Sequence, residues 1–323
     1  MNEKKSYICL EPQRLDVFLA QELEQTRSQV VQLIKQSCVD IDLKIETRSG
    51  AKLKPNQTVT VVFPIEEKKV PHAIDFDVDI LYEDEDLLVV YKPSGVTVHP
   101  AQSVKSATLV DWLKSKNIKL SDIGAPDRAG IVHRIDKGTS GAMVIAKTNE
   151  AHEFLAKQLQ DQSMGRYYLA VTTPPLKDEI TIIEHNISRS LSNRLKMACA
   201  EDGKEAKTIF KSLLHSNDEK NQLICAKLFT GRTHQIRVHL ESMSRHILGD
   251  PTYAQSPKME KSEHILLHAY IVYFIHPRTK EQITIKAPIS DLMQKYLEKN
   301  FNKEELNEVI DTDFIINGFN SVI

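Results

Sequence analysis

The sequence predicts a two-domain protein that mixes helices and strands. Three observations predict it. The chain has 323 residues, more than one domain usually holds. Helical apolar stripes stand beside short alternating strands in residues 11–64 and again from residue 80 onwards. An acidic, proline-containing stretch at 65–79 separates a small first part from a larger second one.

Composition bounds the class. A hydrophobic share of 41% fills a core, and 27% charged residues suit a globular protein. No apolar run approaches the ~18 residues of a membrane span. The opening MNEKKSYICL lacks the apolar segment of a secretory signal. Cys9, Cys38, Cys199 and Cys225 lie far apart with no C-x-x-C pair. That spacing argues against a disulfide framework and a structural zinc site, and a reducing cytoplasm is the expected location. Net charge is −2, so any surface for a polyanion must be local.

Residues 1–10 read as a tail and 11–64 as the small module. Leu15, Phe18, Leu19 and Leu23 follow helical spacing. Thr26-Arg27-Ser28-Gln29 is a capping box that opens a second helix with the stripe Val30, Val31, Leu33 and Ile34. Strands are expected at Val39 and Ile41 and at Val59, Val61 and Phe63, with a turn at Pro55-Asn56. Arg27, Lys35, Lys44, Arg48, Lys52 and Lys54 outnumber Asp40, Asp42 and Glu46. Arg27 and Lys35 share roughly one helix face, as a phosphate-binding patch or a plain solvated face would.

Residues 65–79 are the linker. Nine acids against two lysines over 65–90 place that segment away from any polyanion. The larger domain spans 80–300. Ile80-Leu81-Tyr82 and Leu87 to Tyr91 predict a hairpin, Lys92-Pro93-Ser94-Gly95 a type I turn, and Thr108 to Leu113 a short helix. Glu150 to Asp161 carries a helical stripe, and Arg166 to Val171 reads as a strand. Alternation puts Tyr167 and Tyr168 on opposite faces, Tyr167 being the better core residue. A basic stretch at 186–211 holds Arg189, Arg194, Lys196, Lys204 and Lys207 around a turn at Gly203.

The chemistry centres on AGIVHRIDKGTSGAMVIAKT, residues 129–148. Asp136 sits among His133, Arg134 and Lys137, before Gly138-Thr139-Ser140-Gly141. Apolar runs on both sides predict two buried strands with a tight loop between them. A cationic surround favours an ionised carboxylate, suited to a nucleophile or to stabilising positive charge. A charged, idle loop fits the same residues. A second constellation runs from Leu228 to Leu240. A strand at 223–228 leads into it, and Thr233 is the expected cap of a helix with core residues Ile236, Leu240 and Met243. Arg237 lies off that stripe, either paired with Glu241 on the surface or pointing at a neighbouring element. His234 and His239 lack metal-ligand spacing, so no metal site is expected.

These residues carry a resemblance. His133-Arg134-Ile135-Asp136-Lys137-Gly138-Thr139-Ser140-Gly141 resembles the H-R-L-D-x-x-T-S-G motif of the RluA family of pseudouridine synthases, with Ile135 for Leu. Arg166-Tyr167-Tyr168-Leu169-Ala170 is similar to its K-x-Y-L-A motif, with Arg for Lys. Thr230-Gly231-Arg232-Thr233-His234-Gln235-Ile236-Arg237 matches its T-G-R-x-H-Q-I-R motif. Arg14 to Phe63 resembles the small RNA-binding domain named after ribosomal protein S-four, with Asp42-Leu43 where that domain usually has Asn-Gly.

The resemblance covers roughly 12–300 and implies an α+β fold. It implies a mixed, mainly antiparallel sheet in the catalytic domain, and a small N-terminal α/β RNA-binding domain. It implies isomerisation of uridine in RNA without cofactor or metal, by an enzyme expected to be monomeric. Asp136, Tyr168 and Arg237 are the implied catalytic residues, with Arg237 paired to Asp136. Arg134, His133, Arg27, Lys35, Arg194, Lys196 and Arg232 are the implied RNA contacts. The N-terminal domain and the S-N-R-L-K-M stretch resemble the RluD-like branch, which modifies large-subunit ribosomal RNA. Two other classes compete: a catalytically silent RNA-binding protein, and a glycoside hydrolase, which needs a second acid beside Asp136. Phe314, Ile315, Ile316 and Phe319 in 301–323 fall outside the resemblance and are expected to dock as a strand or stay mobile.

Overall fold

The structure is a computed structural model that describes residues 4–63, 72–101, 103–123, 126–254 and 264–320. It divides into two compact units, residues 1–70 and 71–323. Residues 64–71, which include the start of the expected linker, lie outside the described residues.

In the first unit, strands β1 (Lys4–Ile8), β2 (Val39–Ile41), β3 (Lys44–Ile45) and β4 (Thr58–Val62) form one sheet in the order β1-β4-β2-β3. Helices α1 (Leu15–Glu22) and α2 (Arg27–Lys35) pack Leu15, Phe18, Leu19, Val30 and Ile34 against Val39, Val59 and Val61. The capping box at Thr26 and Gln29 is formed. The expected tail contains β1, which pairs with β4 from Lys4–Val62 to Ile8–Thr58. Its side chains are mostly exposed, so no apolar alternation announced it.

The Asp42-Leu43 turn keeps the shape an Asn-Gly pair would give, with φ of 51° and 68°. Leu43 is 87% exposed and gains no packing there. Leu43→Gly should therefore stabilise this unit by up to about 1 kcal/mol, the cost of a left-handed L-residue less the extra chain entropy of glycine. A denaturant titration that follows the first unit checks it.

The second unit is built on a ten-stranded sheet. Its strands are β5 (Asp79–Glu83), β6 (Leu87–Lys92), β7 (Ser140–Ala146), β8 (Gly165–Thr173), β9 (Ile180–Glu184), β12 (Lys207–His215), β13 (Gln222–Leu228), β14 (His246–Ile247), β15 (Leu267–Ile275) and β16 (Gln282–Lys286). The hairpin strands β10 (Ile187–Arg189) and β11 (Met197–Cys199) form a two-stranded sheet of their own. The main order is β5-β6-β7-β15-β8-β13-β12-β9, with β14 on β8 and β16 on β15. Strands β7 and β15 run parallel, and the other pairs of this sheet are antiparallel. The expected mixed, mainly antiparallel α+β architecture is present.

Helices cover both faces of the sheet. They are α3 (Leu109–Ser115), α4 (Asn149–Gln160), α5 (Gln235–Ser242), α6 (Asp291–Asn300), α7 (Lys303–Val309) and α8 (Thr312–Asn320). Tyr168 and Ala170 of β8 join one core with Met143, Ile145, Ile236 and Leu240. Tyr167, Leu169 and Val171 join the opposite core with Met293, Leu297, Ile315 and Phe319. The C-terminal segment is thus helical. Ile315 and Phe319 are buried one turn apart, and the Phe319 ring lies 5.3 Å from that of Tyr167.

The stretch 129–148 forms one strand where two were expected. Its second half is β7, buried throughout. In the first half Ile131 makes one isolated bridge to Ile145, and an irregular loop follows. Its carbonyls are claimed elsewhere. Lys137 O accepts from Gly95 N and Gly138 O from the Ser94 hydroxyl, bonds that tie the loop to the turn at 92–95. Gly141 at φ 115° lets β7 approach β15, because a Cβ there would lie 2.1 Å from the Ala269 carbonyl oxygen.

Candidate active site

The site forms where this loop, β8 and the start of α5 meet. Arg237 Nη1 donates to Asp136 Oδ2 at 3.1 Å. The rest of the guanidinium is held from behind: Nε and Nη2 donate to the two oxygens of Asp250 at 2.7 Å each. Asp250 is fully buried and also accepts the Thr252 and Tyr253 backbone N–H groups. The Tyr253 ring stacks under Arg237 at 4.9 Å. Burial works against the charge of Arg237, but hydrogen bonds and attraction from Asp250 and Asp136 outweigh it and raise its pKa. Arg237 is therefore a fixed cation that orients one oxygen of Asp136. Oδ1 makes no hydrogen bond among the described residues, and the side chain keeps 19% exposure towards the cleft.

Asp136 and Arg237 line a cleft of about 660 Å³, within the usual range for a ligand site. Arg134, Lys137, His99, His234 and His264 line it too, with Asp136 the one carboxylate among the described residues of its lining. Asp136 also borders a smaller recess with Tyr168, Arg134, Arg166 and Arg232. Tyr168 is buried, and burial raises its pKa, with Arg166 lowering and Asp136 raising it further. Its hydroxyl has no hydrogen-bond partner among the described residues, which leaves the phenol available to a ligand.

Lys92, from a turn expected only to steer the chain, clamps the loop. Its buried Nζ donates to the carbonyls of Pro93, Val96 and Lys137 at 2.7, 2.8 and 3.2 Å. Burial pulls its pKa down to about 7, with the Asp136 carboxylate opposing. A lysine depressed on folding binds more protons unfolded than folded between the two pKa values. The sign is thus a stability that rises with pH from about 7 towards the ordinary lysine range. Urea titrations at pH 7 and pH 9 should show this rise in the wild type, at most about 1.4 kcal/mol per pH unit from this group, and Lys92→Met should lack it.

The structure moves several expected residues. Arg237 does not pair with Glu241 on the surface, because Glu241 takes Lys196. Thr233 is not the cap: His234 precedes α5 at φ 59°, without a side-chain cap. Gln235 ties that corner instead, accepting from Arg232 N and Thr230 Oγ1 and donating to Lys207 O and Thr208 Oγ1.

The residues expected at RNA are dispersed. Arg134, Arg194 and Arg232 are exposed. Lys196 is occupied by Glu241 and by the Tyr253 ring at 5.1 Å. In the first unit Lys35 is exposed, and Arg27 is paired at 2.6 Å with buried Asp16. Asp16 is held down to about 2, first by the Arg14 hydrogen bond against its burial, then by Arg27. His133 lies below the surface. It is buried, and its Nε2 accepts the Val144 N–H at 3.0 Å.

His234 and His239 bind neighbours. His234 Nδ1 lies 2.9 Å from the Tyr253 hydroxyl. His239 uses both ring nitrogens, on Thr208 Oγ1 and His185 O. Away from the cleft, Asp84, Asp86 and His276 bring ligand-type atoms within 4.8 Å of one another. Those atoms are engaged: His276 and Tyr82 donate to Asp84, and Arg278 forks onto Asp86.

A cationic cleft around one oriented carboxylate, on a mainly antiparallel sheet, suits an enzyme with an anionic substrate. Comparison with known proteins specifies which kind. Residues 86–242 match the family described as RNA pseudouridylate synthase, and residues 13–59 match the S4 domain. A protein of Helicobacter pylori strain 26695, named as an uncharacterized RNA pseudouridine synthase, is 45% identical over 98% of this chain and 99% of its own length. The ribosomal large subunit pseudouridine synthase D of Zymomonas mobilis is 38% identical over 87% of this chain and 92% of its own. The structure of human RNA Pseudouridylate Synthase Domain Containing 1 superposes with a TM-score of 0.58 at 21% identity, covering 72% of this chain and 94% of that one, and shows the shared fold. The chain belongs to the RluA family of RNA pseudouridine synthases.

Membership supports the enzyme, and an in vitro isomerisation assay separates it from a silent binder of the same fold. The glycosidase alternative needs a second acid beside Asp136, and none lines the cleft among the described residues. Among the described residues no helix is long and apolar enough to cross a membrane.

Proposed function

We propose that this enzyme isomerises specific uridines of large-subunit ribosomal RNA, with Asp136 as its catalytic carboxylate. The observation that carries the reading is the Asp136–Arg237 pair, 3.1 Å apart in a cationic cleft with one carboxylate oxygen unbound. In the reaction the bond from the sugar C1′ to N1 breaks, the base turns, and C1′ bonds to C5. The proton on C5 leaves, and N1 ends protonated. Asp136 acts on the nucleoside, Arg237 orients it, and Tyr168 stacks on the base and helps move the proton. The uridine must leave its helix first, and Arg134, exposed beside Asp136, fills the space it vacates.

Arg27, Lys35, Arg194 and Arg232 supply phosphate contacts, which set affinity without choosing sequence. The ribosomal target rests on the S4 match and on the name of the Zymomonas mobilis relative. A monomer in the cytoplasm belongs to the same reading. Pseudouridine mapping in a deletion strain tests it, alongside the purified enzyme acting on large-subunit transcripts. Loss of specific large-subunit pseudouridines, restored by the purified enzyme, is expected. If all of them persist and only other RNAs are modified in vitro, the ribosomal assignment is wrong.

A further inference from the structure

Arg166 is a buried cation without a counterpart. It is 6% exposed, its Nε is enclosed, and none of its donors has a hydrogen-bond or ion-pair partner among the described residues. Burial lowers its pKa, with Tyr168 opposing. Desolvating a guanidinium without an acceptor is strongly unfavourable, so the position asks for a ligand or a structural cause. Among the described residues no acid pairs with it. Strand alternation places Arg166 on the Tyr168 face of β8, towards the cleft. Gly231 leaves it room there, since a Cβ at 231 would lie 3.0 Å from Nη1.

A second enclosed donor points to the same place. His133 Nε2 accepts the Val144 N–H, which assigns the ring proton to Nδ1, and Nδ1 also has no partner among the described residues. Burial first, and the charge of Arg166 second, hold His133 down to about 3, so the ring is neutral at physiological pH. His133 and Arg166 line one recess of about 500 Å³ together with Arg134 and Arg232. The carboxylate in its lining, Glu205, is exposed. Arg134, Arg166 and Arg232 also border the small recess of Asp136 and Tyr168, so the two spaces adjoin.

We propose that this recess binds one phosphodiester of the substrate RNA, adjacent to the nucleotide presented to Asp136, with Arg166 as its buried anchor. The proposal rests on the RNA reading above and names a contact within it. A phosphodiester fits for three reasons. Guanidinium forks match phosphate oxygens. The neutral imidazole N–H adds a donor without further charge repulsion. An anion there would satisfy two polar groups that have no partner among the described residues. Arg134 and Arg232, being exposed, guide the backbone in, whereas Arg166 is fixed by its strand and sets where the phosphate stops.

The test uses the full chain, Arg166→Met and Arg166→Lys, with two readouts. The first is thermal unfolding in inorganic phosphate against chloride at matched ionic strength. It needs no turnover, so it stays readable even if the wild type forms no pseudouridine, a result that would sink the proposed function alone. Arg166→Met should unfold at or above the wild-type temperature in chloride and lose the stabilisation that phosphate gives the wild type. Arg166→Lys should keep part of it. The second is binding of substrate RNA with a single neutral methylphosphonate linkage moved along the strand. One linkage should weaken the wild type roughly 10- to 100-fold, the worth of a charge-assisted hydrogen bond, and weaken Arg166→Met no further than the substitution already does. A lower melting temperature for Arg166→Met with an unchanged phosphate response would mean a structural arginine and overturn the proposal. Stabilisation by inorganic phosphate with no linkage-specific effect would mean a free-anion site and overturn the RNA assignment.

Discussion

Asp136→Asn should abolish pseudouridine formation while leaving RNA binding nearly intact. Asparagine keeps the size of the side chain, and its amide oxygen still accepts from Arg237, so the loop clamped by Lys92 holds its shape. What is lost is the carboxylate charge and the oxygen that faces the cleft. Without them the chemical step has no starting group, and the single-turnover rate should fall by at least ~10⁴-fold, the scale seen when a reacting group is removed. Affinity should persist because phosphate contacts elsewhere supply most of it. Removing a negative charge from a cleft that receives a polyanion should even tighten binding slightly. The measurement is single-turnover pseudouridine formation on large-subunit RNA beside a binding titration. Substantial turnover by the Asn variant would remove Asp136 from the mechanism.

Local pattern made most of the elements legible. The capping box at Thr26, the hairpin at Ile80–Tyr91, the helix after Thr148 and the strand after Gly165 each carry their own signal over a few residues. So did the split of Tyr167 and Tyr168 between two faces, since alternation is a property of the strand itself. What stayed hidden depends on contacts between distant segments. Strand β1 is mostly exposed and is held by its backbone bonds to β4, which leave no apolar trace. The turn at Asp42-Leu43 forms against residue preference because the strands it joins demand positive φ. Lys92 looked like turn punctuation, and only the fold brings the Lys137 carbonyl to its ammonium. Arg166 looked like an ordinary strand cation, and its lack of a partner is visible only once its surroundings are assembled.

Asp250 is the largest omission of this kind, and its removal should have the second-largest effect. It lies 13 residues from Arg237 and far along the chain from Asp136, outside the stretches whose pattern singled those residues out. In the fold it accepts four hydrogen bonds, two from Arg237 and one each from Thr252 and Tyr253. Asp250→Asn keeps the volume but turns an amide N–H₂ towards one of those donors. It also leaves Arg237 as a buried cation without its main counter-charge. Breaking one side of a buried pair costs about 3–5 kcal/mol, so the unfolding midpoint of the second unit should drop sharply. The rate should fall as well, because the guanidinium that orients Asp136 is no longer fixed from behind, and small misplacements at a reacting group cost up to ~100-fold. RNA affinity should change little, since Asp250 is enclosed and touches no cleft surface. Assays at low temperature, where the variant is fully folded by circular dichroism, separate the two effects. A slow rate that persists there marks Asp250 as a positioning residue acting through Arg237. A wild-type rate there would show that Asp136 is oriented without it, and that Asp250 serves stability alone.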